Sequence, residues 1–129
     1  MLIPQLTSLY AALLGLLFIP FTLRVARYRY QHRISLGDGD DRKLMKLIRA
    51  QGNFVETVPL ALILMLLMEM SGASSVWLHS LGIALVLGRL SHYLQVSGML
   101  KPLLFRMLGM VATIAVYLAA SLWLLFCIY

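Results

Sequence analysis

The chain has 129 residues, of which 61% are hydrophobic and only 12% charged, and its formal net charge is +6. A water-soluble domain carries roughly half apolar and a quarter charged residues, so a mean hydropathy of +0.88 excludes a soluble globular fold. The single cysteine, Cys127, excludes an intrachain disulfide and a cysteine-based metal site.

A membrane-spanning helix needs about 20 largely apolar residues, and four stretches meet that length: about 6–23, 53–70, 76–96 and 103–128. They consume most of the chain. The expected fold is therefore all-α, a single four-span membrane domain over residues 1–129 built as a four-helix bundle. The opening MLIPQLTS lacks the basic front end and small-residue cleavage site of a secretory signal peptide.

Positive charge follows the first span: Arg24, Arg27, Arg29 and Arg33, then Arg42, Lys43, Lys46 and Arg49. Arg89, Lys101 and Arg106 complete the 11 basic residues, and an up-and-down hairpin order puts all of them on or toward one side. By the positive-inside rule, connections 24–52 and 97–106 face the cytoplasm and both termini lie opposite. This asymmetry accounts for the charge without nucleic acid. Orientation during insertion is its bland meaning; an anionic substrate is the sharper one.

The segment SLGDGDD at 35–41 reads as a turn closing on an Asp N-cap. The second helix is thus expected to start about three turns before its membrane span. Arg42, Lys46, Arg49, Asn53 and Glu56 recur at helical spacing, one polar stripe running from the basic side into the bilayer. Between Glu56 and Glu69 lie 12 uncharged residues, about 18 Å of helix against a hydrocarbon core of about 30 Å. Glu56 and Arg89 must sit at membrane depth. They are equidistant in sequence from the SGASS turn at 71–75, so a hairpin folded there sets them at one height and predicts an ion pair. Asn53 and His92 fall level by the same reasoning. Such residues face a bundle interior or cavity. A simple lock between two helices does not need Arg49, Asn53 and His92 as well, and these point to an anion site.

Glu69 is expected to snorkel to the interface, and His79 and His32 to be solvated. Pro102 suits the first turn of the fourth helix. Ala84-x-x-x-Gly88 and Ala115-x-x-x-Ala119 permit close helix contact.

At these residues the sequence resembles the MAPEG family, the membrane-associated proteins in eicosanoid and glutathione metabolism. RAQGNFVETVPL at 49–60 is similar to the family pattern Arg-Ala-x-x-Asn-x-x-Glu-x-x-Pro. GRLSHY at 88–93 resembles the third-helix Arg-x-x-His segment, and KPLLFRMLGMVAT at 101–113 the start of the fourth helix. The loop RYQHRISLGDG looks like the small bacterial branch, which implies a bacterial inner membrane. The resemblance implies a homotrimer with glutathione bound between subunits as co-substrate. It carries Arg49, Asn53, Glu56, Arg89 and His92 over as glutathione-binding positions, with Arg27 (or Arg24 in a neighbouring register) as the first-helix arginine. Arg106 matches the catalytic, thiolate-stabilising arginine.

The implied activity is a glutathione-dependent transferase or peroxidase acting on lipophilic electrophiles. The alternative is a non-catalytic lipid- or partner-binding membrane scaffold of the same fold. Val96 and Met110 stand where several members place tyrosines, Thr57 replaces a tyrosine, and Gly52 an arginine. A small exporter would want a carboxylate in the first span, and 6–23 carries no charge.

Overall fold

The computed structural model describes residues 3–128. The apolar runs form α1 (Gln5–His32), α2 (Arg42–Met70), α3 (Ser75–Val96) and α4 (Leu104–Ile128). Of these, α1, α2 and α4 are long and apolar enough to cross a membrane. The sequence reading counted a fourth span, and α3 does not reach that apolarity. Its 22 residues have the length, about 33 Å, but they include Arg89, two histidines and three serines. Arg89 and His92 are both buried, so α3 turns its costly groups toward the other helices.

Side-chain hydrogen bonds fix the directions. The backbone N–H groups of Leu6 and Thr7 donate to Glu69, and Gln51 donates to Thr22, so α1 and α2 are antiparallel. Arg89 reaches Asn53 across the α2–α3 hairpin. The Ser91 hydroxyl donates to the Phe105 carbonyl at 2.8 Å, which sets α4 antiparallel to α3. The result is an up-down-up-down bundle. Both basic connections share one end; the 71–74 turn and the starts and ends of the described chain share the other. Helices α2 and α3 form the middle of the bundle. Among the described residues α1 and α4 flank them without touching each other.

In a bilayer, helices associate through close packing and interhelical hydrogen bonds rather than through expulsion of water. Phe21 stacks on Tyr93 and meets Phe54 edge-on, filling the joint of α1, α2 and α3. Two close approaches demand glycine. A Cβ at Gly82 would overlap the Tyr10 ring, and one at Gly109 would strike the Gly88 carbonyl and His92. Gly88 of the Ala84-x-x-x-Gly88 pair thus lies against α4, as its small size permits.

The starts of α1 and α2 are held by carboxylates. Asp41 caps α2, accepting from the N–H groups of Lys43 (2.8 Å) and Leu44 (3.0 Å) and from the Tyr28 hydroxyl. The Leu44 bond, then the Tyr28 bond, hold its carboxyl below the ordinary 3.8. Pro4 gives α1 no side-chain cap of its own. Glu69, half-buried rather than snorkelling outward, supplies one from the end of α2 at 2.8 and 2.7 Å. His79 is likewise engaged, its Nδ1 2.8 Å from the Tyr10 hydroxyl. Pro102 lies just ahead of α4, its carbonyl accepting from the Phe105 N–H, and the helix begins at Leu104.

Candidate functional site: a donor-lined cavity at the basic end

Residues one turn apart lie on the same side of a helix, and three helices each turn one such pair toward a common point. Arg49 and Asn53 of α2, His92 and Val96 of α3, and Arg106 and Met110 of α4 line a cavity of about 170 Å³. Four of these six are polar residues singled out by the sequence. The two apolar ones, Val96 and Met110, wall it on the α3–α4 side.

Arg89 lies beneath this cavity and is 1% exposed. Its Nη1 donates to Asn53 Oδ1 at 2.5 Å and to Thr57 Oγ1 at 3.1 Å. Its Nη2 donates to the Gly109 carbonyl at 2.7 Å, tying α3 to α4 where the glycines meet. A guanidinium has only donors, so it must face the amide oxygen of Asn53 and leaves the Asn53 amino group for the cavity. Thr57 in turn donates to the Asn53 carbonyl at 2.7 Å. Arg89 therefore orients the wall of the site from below.

The expected Glu56–Arg89 ion pair does not form. Glu56 contacts Arg49 instead, at 3.5 Å, with both side chains more than half exposed. Equal height was correctly inferred, but height does not fix direction around the helix. Asn53 and Thr57, four residues apart, flank Arg89; residue 56 is turned about 60° away from 53 and falls outside. The polar stripe read from sequence is thus split between an inward edge at Asn53 and an outward one at Glu56.

The cavity presents two guanidinium groups, the Asn53 amino group and an imidazole, and no carboxylate lines it. Such a wall suits an anion. The family profile of MAPEG matches residues 7–126, nearly the whole described chain. The chain belongs to the MAPEG family. Two curated relatives, each named "Inner membrane protein YecN" and found in Escherichia coli K12 and Escherichia coli O6:H1, are 46% identical over 89 residues. The alignment covers 69% of this chain and 68% of theirs. No solved structure gives a significant match. This MAPEG protein is accordingly an integral protein of a bacterial inner membrane, an all-α bundle with three helices apolar enough to span it.

Within the MAPEG chain, the first-helix arginine named from sequence, Arg27, is exposed and outside the cavity. Arg24, in the neighbouring register, is spent on structure: its Nη1 donates to the Tyr93 hydroxyl at 3.3 Å and to Ser97 Oγ at 3.4 Å. The first-helix arginine that approaches the site is Arg29. It shares with Arg49 a second cavity, about 370 Å³, also lined by Gly37 and Asp38, and its Nη1 is buried without a partner among the described residues. Nothing in the spacing sets Arg29 apart from Arg24, Arg27 and Arg33. The SLGDGDD turn brings it to α2 by folding back over the end of α1, with Gly37 and Gly39 in the left-handed region at φ 65° and 58°.

Proposed function

We propose that this MAPEG protein is a glutathione-dependent membrane transferase or peroxidase acting on lipophilic electrophiles. The observation that carries this reading is the convergence of Arg49, Asn53, His92 and Arg106 on one cavity without a carboxylate. Glutathione has two carboxylates and one ammonium, so donors should outnumber acceptors around it. Arg49 and the Asn53 amino group suit its carboxylates, and Glu56, at the edge beside Arg49, suits its ammonium. A thiol is a weak nucleophile until ionised, and an adjacent guanidinium favours the thiolate. Arg106 is the cation of α4 on this cavity and has that role here. The thiolate sulfur attacks an electrophilic carbon and expels its leaving group as the anion. With a hydroperoxide it takes the terminal oxygen, releasing the alcohol; a second glutathione then yields disulfide and water.

The cavity in one chain, about 170 Å³, is below the roughly 300–1,000 Å³ of sites that enclose small ligands. The missing wall is supplied by a neighbouring subunit of a homotrimer. Glu56 supports that assembly: a carboxylate 57% exposed at membrane depth is costly against lipid. The apolar outer face of α2, with Val55, Leu60, Ile63 and Leu67 exposed, continues the same surface. A second reading, a non-catalytic lipid- or partner-binding scaffold, rests on Val96 and Met110, which leave the cavity without a hydroxyl to hold a thiol.

The deciding experiment measures glutathione binding and thiolate absorbance on the purified protein, followed by turnover with an aryl halide and a lipid hydroperoxide. Saturable binding with a thiolate band that titrates below the free thiol supports the enzyme. Binding of lipophiles with no thiolate band returns the scaffold.

A further inference from the structure

On the other side of the α3–α4 seam lies an apolar groove of about 460 Å³, running from Ala84 and Ala112 to Leu94 and Leu100. Its floor exists because Gly88 and Gly109 let the two backbones touch. The one polar side chain in its lining, Ser91, is already bonded to the Phe105 carbonyl, so the groove has nothing to offer a polar ligand. From Ala84 to Leu94 is about 15 Å of helix, half of a hydrocarbon core of about 30 Å. The groove is therefore as deep as one leaflet, and it ends at the basic side of the bundle.

The α3–α4 part of that end carries cations without carboxylates of its own. No Asp or Glu occurs anywhere after Glu69, whereas Arg89, Lys101 and Arg106 do. Arg89 is buried in its hydrogen bonds and Arg106 lines the polar cavity. Lys101, exposed and directly following the groove residue Leu100, has no carboxylate partner among the described residues. We propose that this groove holds one acyl chain of an anionic phospholipid, with its phosphate against Lys101. An apolar slot of one leaflet's depth with an exposed, unpaired lysine at its end matches the two halves of such a lipid. The inference is independent of the glutathione reading, which concerns the opposite side of the seam.

The test is native mass spectrometry of the detergent-purified protein offered dioleoyl phosphatidylglycerol or dioleoyl phosphatidylcholine. The parent should retain the anionic lipid at concentrations where the zwitterionic one is lost. A basic residue near an anionic headgroup adds about 1 kcal/mol, so Lys101→Ala should weaken the apparent affinity for phosphatidylglycerol about fivefold. Leu87→Trp, at a rim position 60% exposed and clear of the core, should obstruct the groove and lower retention of both lipids at an unchanged melting temperature. Equal retention of the two lipids by the parent, or unchanged occupancy in Leu87→Trp, would overturn the proposal. So would a disulfide-linked dimer of Leu87→Cys in a Cys127→Ser background, because a second copy would then cover the groove.

Discussion

The two ends of the bundle both place polar side chains among apolar helices, and they treat them differently. At the 71–74 end, each Glu69 oxygen takes a backbone N–H and the Tyr10 hydroxyl meets His79. Those groups stitch α1 to α2 and α3 and have little left to offer a ligand. At the basic end, Arg49 and Glu56 hold each other loosely at 3.5 Å in the open, and Arg106 is exposed on a cavity wall. Satisfied polar groups build a fold; groups left with free donors on a concave surface await a partner. Arg89 stands between the two cases, bonded in the core yet aiming Asn53 outward.

That contrast is open to direct attack. Arg89→Leu should cost the most stability, about 3 kcal/mol, because three acceptors lose a charged donor together. Thermal unfolding in detergent checks it, and Arg89→Leu with Glu56→Gln should be additive within about 0.5 kcal/mol. Strong coupling between Glu56 and Arg89 would restore the ion pair that the helix geometry denies; coupling between Asn53 and Arg89 is expected instead. Next comes Arg106→Leu, with little change in melting temperature but turnover down by about 10²-fold and the bound-thiol titration moved upward. A lysine there should recover only part, since it lacks the planar fork. At the other end the signature reverses. Glu69→Ala removes the tertiary cap of α1 and should cost about 1–2 kcal/mol, while glutathione-dependent stabilisation stays as in the parent.

The smallest effect is expected at Asp41. Its folded-state pKa lies below the ordinary 3.8, so the cap contributes fully above that value. The contribution fades as pH falls through the lower folded-state value. The protection of the Lys43 and Leu44 amides, taken relative to the intrinsic exchange rate at each pH, should therefore fall only in acid, and Asp41→Ala should show that low protection already at neutral pH.

Composition and hydrophobic run length were enough to read an all-α membrane bundle with both basic connections on one end. The Asp41 cap and the three-turn extension of α2 were legible too, because turn and cap signals are local in sequence. Asn53 and His92 were marked by being polar where apolar residues belong, Arg49 by its place on the polar stripe of α2, and Arg106 by the family resemblance. The partners of those charges were not legible. Hairpin symmetry gives height along the bundle, whereas pairing also depends on azimuth, and a rotation of about 60° separates Glu56 from Asn53. Azimuth is set by packing, by Gly88 against Gly109 and by the Phe21, Phe54 and Tyr93 cluster. The same holds for Arg29 over Arg27 and for the capping role of Glu69, both decided by contacts between distant segments. The sequence by itself thus determined which groups are too polar for an apolar helix face and at what height along the bundle they lie. Only the tertiary structure decided which way each one faces, because close packing, not periodicity, fixes the rotation of a helix against its neighbours.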